Sequence, residues 1–331
     1  MTTNSPATIT TVAAFPEHTM LENLAVRADG SILVVASPQR QVWYAPAPTG
    51  GLPVEPVLLY TFEDGHLAQC LVEAQPDVFY VATYGKATLY RFDLRHWAPG
   101  QPLSPTKVLD FDPPAGPNGG ALIAPGVMLF SDCVAGSILR VDLSVDGLHG
   151  TARTWLKHES MAAGGGHPPV KFSDTMQVPF PGINGLRYGQ KTKYVYYTTS
   201  SQDLFMRVAV DPDTLEPAGE PEHLADLKNV DDLCLDEDKG VAYIARHPDH
   251  VVERAPLEAG SSAPRLLAMA GDPFTDKLIG PTSLDWGRAP GDYGRIAYVT
   301  TDGGTVQLAP DGVLRPARLM RIDFAGNAAP N

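Results

Sequence analysis

Along the chain, apolar and polar positions alternate in short runs rich in Val, Ile, Leu, Tyr and Thr, and Asp-Gly, Pro-Asp, Pro-Gly and Gly-Gly pairs break the runs apart. Alternation with period two, bounded by such pairs, predicts strands joined by turns. A larger unit recurs above this level. It consists of an inner run, a turn, a very apolar run, another turn, a run ending near Asp or Pro, and a variable outer run. In the first four copies the apolar second run reads ILVVAS, VFYVAT, MLFSDC and VYYTTS. With Glu22, Ala68, Gly119, Asn184, Asp231 and Pro281 as register marks, the copies are spaced by about 46, 51, 65, 47 and 50 residues, each enough for a four-stranded sheet with its loops.

Second strands this apolar need burial on both faces, and radial packing of sheets around an axis supplies it while leaving only short edges. The chain is therefore expected to be all-β, a single six-bladed β-propeller over residues 1–331, with blades near 21–62, 67–112, 118–158, 183–226, 230–270 and 280–324. The sixth copy lacks an outer strand, whereas the alternating segment ATITTVAAF has no partner in the first copy. Residues 7–15 are expected to close the ring as the outermost strand of blade six. The Gly/Pro-rich insertion 159–181, between blades three and four, is expected to lie over the central pocket as a lid.

Composition narrows the partners. With 25 Lys+Arg against 38 Asp+Glu the net charge is −13, so the surface repels polyanions and a nucleic-acid partner is not expected. No run of 18 apolar residues exists, which argues against a membrane span. Thirty-one Gly and 31 Pro, spread along the chain, leave little room for long helices. Cys70, Cys133 and Cys234 lie far apart in apolar runs and read as buried thiols of a reducing compartment. Together with an N-terminus that lacks a basic region and a chain without an N-x-S/T sequon, they give cytoplasmic as the expected location.

In a propeller the first strand of each blade lines the central channel, so polar residues at the starts of those strands converge. Here they are Glu22 and Asn23, His66 and Gln69, Asn118, Asn184, Asp231 and Asp232, and Thr282. A carboxylate heading a run as apolar as LENLAV or VDDLCL is out of character for a packed strand. Asn118-Gly119 and Asn184-Gly185 also read as turn pairs. His247, after VAYIAR and before Pro248, is a candidate proton carrier at the channel mouth, with a surface loop the plainer reading for it and for His66. Asp132 in FSDC reads as structural, bonding neighbouring backbone.

The blade pattern and these inner residues resemble the SMP-30/gluconolactonase superfamily of six-bladed propellers. In that superfamily Glu, Asn and Asp from separate blades hold a divalent metal and another Asn touches substrate. The resemblance places Glu22, Asn184 and Asp231 at the metal positions and Asn118 at the substrate position, a donor set suited to Ca²⁺, Mg²⁺ or Mn²⁺. The chain departs from the lactonases in continuing Glu22 with Asn23-Leu24 and Asp231 with Asp232-Leu233. Those variants, with segments such as FPEHTMLENLAVRADGSILV, FSDCVAGSILRVDL and SSQDLFMRV, resemble a fungal branch that includes the hetero-Diels-Alderases of tropolone sesquiterpenoid pathways.

That branch implies a pericyclase that needs no metal and no redox cofactor, joining a tropolone quinone methide to a humulene-type olefin. Glu22 or Asp231 would assist dehydration as acid or base. Asn118, Asn184, Thr282 and Tyr84 would donate to the tropolone oxygens. Leu21, Phe180, Phe205, Met206 and Trp286 would contact the terpene, although ordinary blade core is the plainer reading for the aromatics. A metal-dependent lactonase using Glu22, Asn184 and Asp231 is the alternative, and a non-catalytic binding propeller a third. The first two take small-molecule substrates, and the oligomeric state leaves no mark in the sequence.

Overall fold

The computed structural model describes residues 7–49, 51–112, 115–171, 177–259, 267–270 and 274–324. It is a ring of six four-stranded antiparallel sheets. The innermost strands are Leu21–Val26, His66–Gln75, Pro117–Ala124, Ile183–Tyr188, Val230–Asp236 and Pro281–Trp286. Each touches the inner strands of both neighbouring blades, which closes the circle. The expected closure by the N-terminal segment is present: Thr8–Ala14 pairs antiparallel with Arg318–Asp323 as the outermost strand of blade six, from Thr8 opposite Asp323 to Ala14 opposite Arg318.

Hydrophobic material lies in wedges between adjacent blades. Second strands such as Ile32–Ala36 and Ile296–Thr301 are buried along their whole length because a wedge covers each face. One wedge, between blades four and five, packs Tyr196, Phe205, Leu233 and Ile244. Another, between blades five and six, packs Tyr243, Leu284, Trp286 and Phe324. Burying apolar area between sheets stabilises by roughly 25 cal/mol per Å² and leaves the axial channel as the place where polar side chains can gather.

The inner strands share an irregularity that decides what faces the channel. In five blades the pairing register skips two residues, between Leu21 and Leu24, Pro117 and Gly120, Ile183 and Leu186, Val230 and Leu233, and Pro281 and Leu284. In the remaining blade it skips one, between Ala68 and Cys70. A bulge re-aims the residues it contains. Here those residues are Glu22-Asn23, Gln69, Asn118-Gly119, Asn184-Gly185, Asp231-Asp232 and Thr282-Ser283. The two Asn-Gly pairs therefore sit in strands and not at hairpin tips. Glycine is required there by close approach: a Cβ on Gly119 would lie 2.5 Å from the Leu186 amide nitrogen, and one on Gly185 would lie 2.5 Å from Asp232 Oδ1.

Within the expected lid segment, Glu159–Met161 forms a 3₁₀ turn, and Val170–Lys171 pairs with Gln177–Val178 as a small hairpin. Residues 172–176 of that segment lie outside the described residues. The His167 ring stacks on Phe180 with centroids 4.4 Å apart, and the Gly164 amide donates to the Phe180 carbonyl. These contacts fold the segment on itself, while Ser201 Oγ donates to the Ala162 carbonyl and Gln202 Nε2 to the Glu159 carbonyl, tying it to blade four.

Candidate functional site

One end of the channel opens into a cavity of about 500 Å³. Five polar residues on it, Glu22, Gln69, Asn118, Asn184 and Asp231, are each less than one-tenth exposed and form a floor together with Ser200 and His247, with Tyr84, Cys133 and Val230 buried beside them. Its more exposed outer part is largely apolar, built from Met20, Pro38, Val170, Val178, Phe180 and Val306, with His18, Gln39, Lys171, Asn229 and Thr305 as its polar members. Four residues from four different blades, Glu22, Asn118, Asn184 and Asp231, thus share one cavity with Tyr84 and His247. Gln69, already marked in the sequence as a polar residue at the start of an inner run, also lines it, as do Ser200 and Cys133, for which no substrate role was expected from the sequence.

Neighbouring hydroxyls fix the floor amides in one orientation. Ser37 Oγ donates to Gln69 Oε1 at 2.7 Å, which turns Gln69 Nε2 onto Glu22 Oε1 at 2.7 Å. Ser200 Oγ donates to the Val230 carbonyl at 2.8 Å and accepts from Asn184 Nδ2 at 2.9 Å. Asn184 Oδ1 is consequently aimed away from Ser200, and it is buried without a hydrogen-bond partner, as is Asp231 Oδ1. Buried acceptors of this kind cost about 1–3 kcal/mol each unless a ligand satisfies them. They mark where a donor or a cation would bind.

Charge on the floor is distributed unevenly. Burial, then repulsion from Asp231, holds the Glu22 carboxyl well above the usual carboxylate range. Asp231 is also raised by burial, but the His247 ring, whose Nδ1 stands 3.2 Å from Asp231 Oδ2, pulls it back. Of the two carboxyls, Glu22 is the more strongly held toward its protonated form. Burial alone would lower His247, yet Asp302 and Asp231 on its two sides outweigh that and raise it to about 10. The floor thus sets an imidazolium beside two carboxyl groups whose proton affinity burial raises.

Five of the proposed substrate contacts lie elsewhere. Thr282 is fully buried with its hydroxyl shared among the Leu21 and Glu22 carbonyls and Thr300 Oγ1, so it fastens blade six to blade one and faces no cavity. Phe205 stacks on Tyr196 inside the wedge between blades four and five. Trp286 sits edge-on to Tyr243 in the next wedge and donates from Nε1 to the Leu235 carbonyl at 2.7 Å. Leu21 and Met206 are also blade core. Only Phe180, of the proposed terpene contacts, lines the cavity. His66 is buried beside Phe62 and Tyr90 and is not a surface-loop residue. Asp132 Oδ1 accepts from the Gly116, Val134 and Ala135 amides, in keeping with its structural reading. All three cysteines are buried free thiols.

A divalent cation on Glu22, Asn184 and Asp231 fits the donor atoms, because the two unpartnered oxygens and the Glu22 carboxyl are hard oxygen ligands. Among the described residues no group of three or more His, Cys, Asp or Glu is arranged to hold a metal ion, so such a site depends on the Asn184 amide.

No family model matches the chain, and no curated protein does. Solved structures similar to it are six-bladed propellers of the regucalcin and gluconolactonase type, among others. A luciferin-regenerating enzyme superposes with a TM-score of 0.65 at 14% identity, over 96% of this chain and 95% of that one. A calcium-binding regucalcin from Agrobacterium tumefaciens gives 0.60 at 14% identity, over 94% of each chain. The PQQ-bound aldose sugar dehydrogenase of Streptomyces coelicolor gives 0.58 at 15% identity, over 96% of this chain and 99% of that one. At these identities the likeness establishes the fold.

Proposed function

We propose that the protein is an enzyme of secondary metabolism that catalyses an intermolecular hetero-Diels-Alder cycloaddition between a tropolone quinone methide and a humulene-type olefin. The observation that carries this reading is the division of the cavity into a polar floor and largely apolar walls. A sugar lactone would need polar partners all round, whereas a polar heterodiene docked on the floor leaves the apolar walls for an alkene. The cavity of about 500 Å³ falls in the ordinary range for small-molecule sites and has room for two partners at once.

Glu22, held by burial toward its protonated form, donates its proton to the departing hydroxyl of a hydroxymethyl tropolone, while Asp231 Oδ1 accepts the hydrogen bond of the ring hydroxyl that loses the balancing proton. Water leaves and the quinone methide remains. Its oxygen and its exocyclic carbon then each bond to one carbon of the olefin, closing a dihydropyran with no atom lost. The protein contributes by holding the two partners in register, which can remove much of the entropic barrier of a bimolecular step. A nearby fixed cation such as the His247 ring further polarises the heterodiene.

The unpartnered Asn184 and Asp231 oxygens favour one second reading, a divalent-metal-dependent lactonase. The cation would be held by Glu22, Asn184 and Asp231 and, when bound, would polarise a lactone carbonyl and activate water. Incubation with the tropolone precursor and humulene, with and without chelator, separates the two. Adducts that differ from the protein-free mixture and survive chelation support the cycloaddition. Activity lost to chelator and restored by Ca²⁺ supports the metal site.

A further inference from the structure

The His247 ring lies between two carboxylates, with Nδ1 3.2 Å from Asp231 Oδ2 and Nε2 3.1 Å from Asp302 Oδ2. The second contact is an ion pair off the line of a hydrogen bond. Asp302 is fully buried and does not line the cavity. It follows the strand Ile296–Thr301 of blade six and begins the loop that carries Thr305 and Val306 to the cavity edge. Its carboxylate also shapes that loop: Oδ1 accepts the Gly304 amide and Oδ2 the Val306 amide, both at 2.7 Å. Room for the arrangement comes from Gly280, where a Cβ would fall 1.7 Å from Asp302 Oδ1 and 3.3 Å from His247 Cδ2. One buried carboxylate therefore touches both the cation of the floor and the backbone of the rim.

We propose that Asp302 is a positioning residue that ties His247 on the floor to the loop 303–306 on the rim, so that the two take up a single arrangement. The consequence for the pocket rests on its reading as a substrate site. The coupling itself follows from contact. The buried Asp302 carboxylate packs against the ring on one side and accepts the two loop amides on the other, so removing the ring leaves the carboxylate without that support and loosens the two amide contacts with it. Asp302 touches no reacting atom and acts through the ring and the loop.

Amide hydrogen exchange, measured residue by residue, tests the coupling without any substrate. In His247→Gln the Gly304 and Val306 amides are expected to exchange about tenfold faster or more, with the amides of strand Ile296–Thr301 unchanged. Asp302→Asn and Gly280→Ala should accelerate the same two amides, the latter by displacing the carboxylate without removing it. Rates at Gly304 and Val306 that stay at the wild-type value in His247→Gln overturn the proposal. With tropolone precursor and humulene, the effects of His247→Gln and Asp302→Asn on the adduct ratio are expected to be non-additive, and additive effects count against the coupling. If the wild-type protein yields only the protein-free adducts, the cycloaddition reading fails while the exchange data still decide the coupling.

Discussion

Asp231 and Asp232 are adjacent in one bulge of one inner strand, and their surroundings could hardly differ more. Asp232 is completely satisfied. Its Oδ2 receives Asn23 Nδ2 at 2.8 Å, Ser283 Oγ at 2.6 Å and Arg187 Nη2 at 2.7 Å, and its Oδ1 receives the Leu233 amide at 2.8 Å. Those partners come from blades one, six and four, so the residue locks the ring across its axis. Asp231 has the His247 ring on one oxygen and nothing on the other. The same contrast separates Asn23 from Glu22: Asn23 also accepts the Leu71 amide, whereas Glu22 has Gln69 on one oxygen and faces the cavity. Of two polar residues placed side by side, one is tied into the scaffold and the other faces the cavity.

The largest effect expected from breaking this contrast is on the structural side. Asp232→Ala would leave Arg187 without its carboxylate in the channel and should lower stability by about 3–5 kcal/mol, read from urea unfolding. A loss below about 1 kcal/mol would mean that the lock is not what holds the ring. On the functional side, Glu22→Gln replaces the carboxyl with an isosteric amide that still accepts from Gln69. Stability should stay within about 1 kcal/mol of wild type, while formation of the quinone methide slows by about 10²-fold or more. Supplying a preformed quinone methide should restore the adduct, and failure to restore it would remove Glu22 from the dehydration step.

A smaller effect is the pH dependence of stability. His247 is raised from its ordinary 6.5 to about 10, so the folded protein binds this proton more tightly than the unfolded chain. The stability it contributes is complete below about pH 6.5 and is lost as pH rises toward 10, since the unfolded state binds fewer protons across that window. Glu22, also raised, has the same sign at lower pH. Unfolding free energies of wild type and His247→Gln should therefore converge toward alkaline pH, and parallel profiles from pH 6 to 10 would contradict the clamped imidazolium.

The six blades, the N-terminal closure and the four residues of the floor were legible because each depends on a repeated local pattern: an apolar second run, and a polar residue at a fixed place before the inner apolar run. The errors arise where that pattern stops deciding direction. Thr282 occupies the same bulge as Glu22 and Asp231, but its short hydroxyl reaches backbone carbonyls before it reaches the channel. Phe205 and Trp286 have the size of substrate contacts, yet alternation sends them into the wedges between blades. Asp302 gave no signal in YVTTDGG, because its role comes from His247, far away in sequence and brought near only by the ring. The doubled Asp231-Asp232, at first only a departure from the lactonase pattern, has its explanation in the partners of Asp232.

The proposal that this pocket orients two partners is tested most directly by the stereochemical composition of the adducts, resolved by chiral chromatography for wild type, Asn184→Ala and a protein-free control. Asn184 lines the cavity with an unpartnered oxygen and supports no wedge. The expected result is a single dominant stereoisomer from wild type and a scrambled ratio from Asn184→Ala, whose stability changes by less than about 1 kcal/mol. An adduct distribution from the wild-type protein identical to that of the protein-free control would contradict the proposal.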